Sequence, residues 1–176
     1  MRILIVVDMQ NDLIDGPLGT KQARAIVPKV KGLIDEFVLN EERIIFTRET
    51  HYDNYLKTQE GKKLPIAHCI KNTDGWKISS VFERIEKLYT VIDKETFGCI
   101  DFPAVIHSIV HVDQEINEIV IAGLLTDICV VSNALILKAA FPETKISVAA
   151  DCCAGTSPEN HDNAIAVMRK CQVDII

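Results

Sequence analysis

The sequence predicts an α/β fold, a mainly parallel sheet with helices on both faces. Two observations carry that expectation. Short apolar runs of strand length recur at Arg2–Val7 and at residues 43–48, 88–93, 119–122, 145–150 and 173–176. Between them lie segments whose apolar residues return at helical intervals, and strands alternating with helices build parallel sheets through right-handed crossovers. The run Ile119-Val120-Ile121-Ala122 shows no polar alternation, as expected of a strand buried on both faces. Ligands of such sheets bind beyond the carboxyl ends of the strands, where the strand order reverses.

Taken in order, the first run ends at Asp8, a carboxylate at the end of a central strand. Gly16-Pro17-Leu18-Gly19 reads as a loop. Over residues 20–39, Ala23, Val27, Val30, Leu33, Ile34 and Phe37 recur at helical spacing. The second strand, 43–48, is followed at once by Glu49 and His51. Residues 52–77, with Gly61, Pro65, Gly75 and the single tryptophan Trp76, read as one irregular segment, and so long a loop is usually functional or disordered. A short helix is expected over 79–87, a third strand over 88–93 with Lys94 directly after it, and a helix over 102–111. Gly123 breaks the fourth strand, and Thr126 and Asp127 are suitable N-caps for the next helix. Cys129 then falls just inside that helix. A fifth strand ends at Asp151, a helix covers 158–171, and 173–176 forms a last short strand. No repeat or linker interrupts the chain, so residues 1–176 are read as one domain.

Composition narrows the function classes. The net charge of −6 comes without a basic cluster, which argues against a nucleic-acid partner. No apolar run is long enough to span a membrane, and the run after Met1-Arg2 is too short for a signal peptide. Six cysteines without a secretory leader point to a reducing cytoplasm rather than a disulfide framework. They also lack the CxxC pairs of a structural zinc site.

Asp8, Glu49, His51, Lys94 and Cys129 all fall just after strands, so the topology gathers them on one sheet edge. Free N–H groups and the positive dipole end at a helix start favour a thiolate, and Cys129 is expected to be the one cysteine with a strongly depressed pKa. The same N–H groups suit an oxyanion. Asp8, Lys94 and Cys129 thus supply a base, a cation and a nucleophile. Cys152 and Cys153 read as core filling, because adjacent cysteines bridge only with strain. His107 and His111 read as a solvated helix face, and Glu159 and His161 as capping or surface residues. No GxGxxG follows the first strand, so a dinucleotide cradle is missing.

Motifs in this order resemble the isochorismatase-like cysteine hydrolases, which include nicotinamidases. They are DMQNDL at 8–13, DKETFG at 93–98, AGLLTDICV at 122–130 and DCCAG at 151–155. The resemblance covers essentially the whole chain. It implies a three-layer αβα, Rossmann-like architecture with a mainly parallel six-stranded sheet in the order 3-2-1-4-5-6. It implies a catalytic triad of Asp8, Lys94 and Cys129, a cis peptide at Leu124-Leu125, and an oxyanion hole from the N–H groups of Leu125 and Cys129. It also implies a divalent metal, zinc, iron or manganese, on Glu49, His51 and His68.

Two positions depart from the nicotinamidase pattern: Glu49 stands for aspartate, and Pro65 for a tryptophan that precedes the later histidine. Leu13, Tyr55, Trp76 and Phe97 are the candidates to line the pocket instead. The activity implied is cleavage of the C–N bond of a small amide through a thioester on Cys129, in a cytoplasmic homo-oligomer, a dimer or tetramer. The alternatives are vinyl-ether hydrolysis of the isochorismatase type, whose members need no cysteine, and a non-catalytic small-molecule-binding relative.

Overall fold

A computed structural model describes residues 1–110 and 114–176. Its sheet has the expected order, β3-β2-β1-β4-β5-β6, and every pairing is parallel. The strands are β1 (Arg2–Val7), β2 (Arg43–Glu49), β3 (Thr90–Lys94), β4 (Glu118–Leu124), β5 (Lys145–Ala154) and β6 (Asp174–Ile175). The order reverses between β1 and β4, the two central strands.

Alternation along each strand divides the core into two layers. Leu4 and Val6 of β1 join Phe46, Val120 and Ala122 on one face, against Ala23, Ile26, Val30, Ile34 and Phe37 of α2 (Lys21–Leu39). Ile3, Ile5 and Val7 point the other way, against α5 (Phe102–Ile109), α6 (Val131–Ala140) and α7 (Pro158–Lys170). Burying each large side chain contributes roughly 1.5–3 kcal/mol, so both layers are held by apolar area. Local chemistry fixes the helix starts. Thr20 Oγ1 accepts from the Ala23 N–H at 2.9 Å to cap α2, and Ser157 Oγ does the same for Asn160 at 3.1 Å ahead of Pro158 in α7.

Several boundaries differ from the sequence reading, each for a local reason. The helix expected over 79–87 shrinks to α4 (Glu83–Glu86). Ser79 instead donates its N–H to Met9, and Ile78 bridges Gln10. Strand β3 starts at Thr90 because the Leu88 and Tyr89 N–H groups go back to Ile85 and Glu86. Lys94 is therefore the last residue of β3, paired with Glu49. Strand β5 runs on to Ala154 through a register shift opposite Ile121 and Gly123, so Cys152 and Cys153 lie within a strand. The irregular segment holds a 3₁₀ turn (Tyr55–Lys57) and α3 (Gln59–Lys63), and α1 (Asn11–Ile14) follows β1. Helix α5 ends at Ile109, and His111 lies outside the described residues. Among the described residues, no helix is long and apolar enough to cross a membrane.

Gly123 is where β1 and β4 require a missing side chain. Its φ is +124°, and a Cβ there would lie 2.1 Å from the Val7 carbonyl oxygen. Gly32, inside α2 with nothing within 4 Å, is the opposite case. Gly123→Ala should lose about 3 kcal/mol or more from backbone strain and overpacking, whereas Gly32→Ala should gain about 0.5–1 kcal/mol of helix propensity. Urea denaturation of both variants checks the difference in sign.

Candidate active site

The carboxyl ends of β1, β2, β3 and β4 meet at one buried polar cluster. Asp8 leaves β1 with φ at 49°, and its Oδ2 lies 2.6 Å from Lys94 Nζ. Lys94 Nζ is also 3.4 Å from Cys129 Sγ. Thr47 Oγ1 donates to Asp8 Oδ1 at 2.6 Å and accepts from the Asp8 N–H at 3.2 Å. Asp8, Cys129 and Lys94 are only 0%, 2% and 4% exposed. The sequence-predicted base, cation and nucleophile thus meet at one point. Glu49 joins them, its Oε1 3.7 Å from the Cys129 sulfur.

Cys129 sits on a π turn, Thr126–Val130, that leads into α6. The turn follows the cis peptide Leu124-Leu125, and the Val130 N–H reaches back five residues to the Leu125 carbonyl at 3.0 Å. Such π turns recur at functional sites. The N-cap is Leu125, not Thr126 or Asp127, because both of those side chains serve tertiary contacts instead. Thr126 Oγ1 is hydrogen-bonded to His161 Nδ1 at 2.8 Å, so His161 is more than a surface residue. Asp127 accepts from the Thr156 N–H at 2.9 Å and from its hydroxyl at 2.5 Å. On the other side, buried Asn133 donates to the carbonyls of Cys129 and Phe97 and accepts from the Cys99 N–H. The turn is therefore braced from α7 and from the loop after β3.

The electrostatics correct one expectation. Burial pushes the Cys129 thiol well above its usual value, the Glu49 charge pushes it further, and Lys94 pulls against both. The helix start therefore does not depress this thiol, because burial at the foot of the cluster outweighs it. Burial also raises Asp8 against the opposing pull of Lys94, which makes its carboxylate a stronger base. For Lys94 burial works downward, but Asp8, Cys129 and Glu49 outweigh it and keep the ammonium charged.

Next to the cluster, Glu49, His51, Glu60 and His68 bring one ligand atom each within 4.8 Å of one another. The chemistry of the set suits a divalent cation. His68 Nδ1 faces the Ile66 carbonyl at 2.7 Å, and Nε2 lies 3.4 Å from Glu49 Oε2. Burial lowers this imidazole, but Glu49 and the Ile66 carbonyl outweigh it and raise it, so a metal at Nε2 would replace a proton. His51 Nε2 is buried with no hydrogen-bond partner among the described residues and lies 3.4 Å from Glu60 Oε1, an arrangement that a shared metal would satisfy. Burial lowers His51, opposed by Glu49, and so favours the neutral imidazole that ligates metal. Glutamate at position 49 reaches the group despite its extra methylene. Glu60, on α3, was not singled out in the sequence because nothing in TQEGKK marks it. Gln10, two residues after Asp8, holds the Glu49 backbone at both ends through its buried amide, by 2.7 and 2.9 Å hydrogen bonds.

A cavity of about 660 Å³ opens above Cys129, Glu49, Glu60 and His68. Leu13 and Phe97 line it, as expected. Tyr55 and Trp76 do not. Tyr55 packs behind His51 and His68, at 4.6 and 5.1 Å between ring centroids, with its hydroxyl donated to the Leu64 carbonyl. Trp76 lies beneath the Arg48 guanidinium, 3.9 Å from its ring centroid, and donates its indole N–H to Thr50. Both rings were candidates for their type alone, and packing committed them elsewhere.

Comparison with known proteins agrees with this fold. The nicotinamidase of Escherichia coli is 25% identical over 193 residues, covering 95% of this chain and 89% of its own. The pyrazinamidase/nicotinamidase structure from Streptococcus mutans superposes with a TM-score of 0.83 at 25% identity, covering both chains fully. The pyrazinamidase of Pyrococcus horikoshii, solved in complex with zinc, shares the fold with a TM-score of 0.81 at 24% identity, over 99% of this chain and 98% of its own. The Isochorismatase domain matches residues 2–176, and the chain therefore belongs to the isochorismatase family.

Proposed function

We propose that the protein is a cysteine hydrolase that cleaves the C–N bond of a small amide. The observation that carries this reading is the contact of Cys129 with Lys94, itself paired to Asp8, at the floor of the cavity. The nicotinamidase relatives support the same class of reaction. A vinyl-ether hydrolase or a binding relative has no use for a nucleophile so placed.

Asp8 takes the Cys129 proton as the sulfur attacks the amide carbonyl, so the thiolate exists only while the bond forms. The N–H groups of Leu125 and Cys129 receive the negative charge on oxygen. As the C–N bond breaks, Asp8 returns the proton to nitrogen and ammonia or an amine departs. Water then attacks the thioester, Asp8 taking its proton and passing it to the leaving sulfur, which releases the carboxylic acid. Lys94 stays charged throughout and stabilises the anionic partner of the moment.

Glu49, His51, Glu60 and His68 would hold a zinc, iron or manganese ion beside this site, where it supplies a Lewis-acidic anchor for a substrate heteroatom. A small amide as substrate, a cytoplasmic setting and a homo-oligomeric state complete the proposal.

Ammonia release from a panel of nicotinamide, pyrazinamide, ureido compounds and aliphatic amides tests the reading, and silence across the panel would overturn it. Asp8→Asn keeps shape but removes the base, and should lower turnover by at least about 10²–10⁴-fold. Lys94→Met removes the charge that draws both the Asp8 carboxyl and the Cys129 thiol down, so its rate–pH profile should move to higher pH, with activity returning in alkali. A Lys94→Met profile that keeps the wild-type position would contradict the electrostatic role.

The metal is tested separately. Elemental analysis should find about one zinc, iron or manganese per chain, as an open single-metal site requires. His51→Ala and His68→Ala should each abolish it. Glu60→Ala should retain metal but lose it faster to chelator. Full activity in chelated, metal-free protein would leave these four side chains as substrate contacts.

A further inference from the structure

The cavity is larger and greasier than a single small ring requires. At about 660 Å³ it has room for roughly twenty waters at about 30 Å³ each, and it falls mid-range among pockets that bury drug-sized ligands. Its polar atoms are not spread evenly. Cys129, Glu49, Glu60 and His68 lie together at the reacting end, while Leu13, Leu18, Leu64, Leu125, Ile128 and Phe97 supply the walls. Those walls come from separate parts of the chain: α1, the loop after it, the residue after α3, the loop after β3, and the π turn. Thr20, Gln59, Thr96 and Thr156 also line it, and charge returns in the exposed Lys63 and Glu95.

Against the six aliphatic and aromatic side chains a polar substituent would lose its water, whereas each buried methylene is favourable. Nor is the cavity built to clamp a flat ring between aromatic faces. Tyr55 and Trp76 are turned into other contacts, and Phe97 is 41% exposed.

From this, resting on the amidase reading above, we propose that the preferred substrate is a primary amide carrying an apolar arm. Its acyl group would have roughly ten to fifteen non-hydrogen atoms, on the scale of ligands that pockets of this size enclose. The amide carbon sits at Cys129, and the arm, an alkyl chain or an alkyl- or aryl-substituted ring, runs along Leu13, Leu18, Leu64 and Ile128. Selection is by apolar volume.

The experiment uses two homologous series, straight-chain primary amides from butanamide to dodecanamide and nicotinamides bearing ring alkyl groups of increasing length. Turnover is read on the metal-loaded wild type and binding on the metal-loaded Cys129→Ala by calorimetry. We expect kcat/KM to rise and Kd to fall by about fourfold per added methylene, until the cavity is filled. Leu64→Trp, or Leu18→Phe if that variant does not fold, should move the optimum to shorter arms. Unsubstituted nicotinamide as the best substrate, or a flat dependence of Kd on arm length, would overturn the inference while leaving the hydrolase reading intact. Binding that tightens with arm length without any ammonia release would uphold the ligand class and overturn the hydrolase reading.

Discussion

The buried ion pair between Asp8 and Lys94 is the constraint that the site is built around. Each charge costs several kcal/mol to remove from water, and the interior returns that only when geometry is close and the remaining valences are met. Here the contact is 2.6 Å and Thr47 satisfies the second carboxylate oxygen. The two residues lie on strands that are not neighbours, so the pair reaches across β2 and depends on the register of all three strands. Losing one partner would strand the other charge, a cost of about 3–5 kcal/mol. The ladder that builds the sheet and the pair that equips the site thus depend on each other.

Burial raises the Cys129 thiol above its usual value, and the carboxylates of the cluster push it further. Glu49 and Asp8 oppose a third negative charge, and Lys94 is already engaged by Asp8. Glu49 is nonetheless held below its usual range, because His68, Lys94 and His51 together outweigh its burial. Glu60 is instead raised, by burial and by the nearby Glu49 charge. A cation bound among these acids and imidazoles would relieve that crowding. Gln10 contributes without charge. Its amide ties the Glu49 backbone and the Trp76 carbonyl together, and so fixes the loop over the site to the end of β2.

What the sequence by itself determined was the order of elements and the residues at the strand ends. Short apolar runs such as Ile119–Ala122 read as buried strands, and the helical spacing of Ala23, Val30, Ile34 and Phe37 marks one face of α2. Asp8, Glu49, Lys94 and Cys129 were legible because each terminates or follows such a run, and the parallel topology then sends all of them to one edge. The resemblance of the motifs added the strand order and the cis peptide, and both are present.

Tertiary structure decided what local pattern could not encode. Thr126 and Asp127 have the chemistry of caps, but His161 and Thr156 offered better-placed partners, so the turn became a π turn capped at Leu125. Glu60 reaches the metal group only because α3 folds over the end of β2, a contact between residues distant from any shared motif. Tyr55 and Trp76 could have lined the cavity by their type, yet a ring packs where its edge finds an acceptor, at the Leu64 carbonyl and the Thr50 hydroxyl. The pKa of Cys129 follows the same rule. Its helix position was readable from the chain, but the burial and neighbouring carboxylates that set its proton affinity exist only in the folded protein.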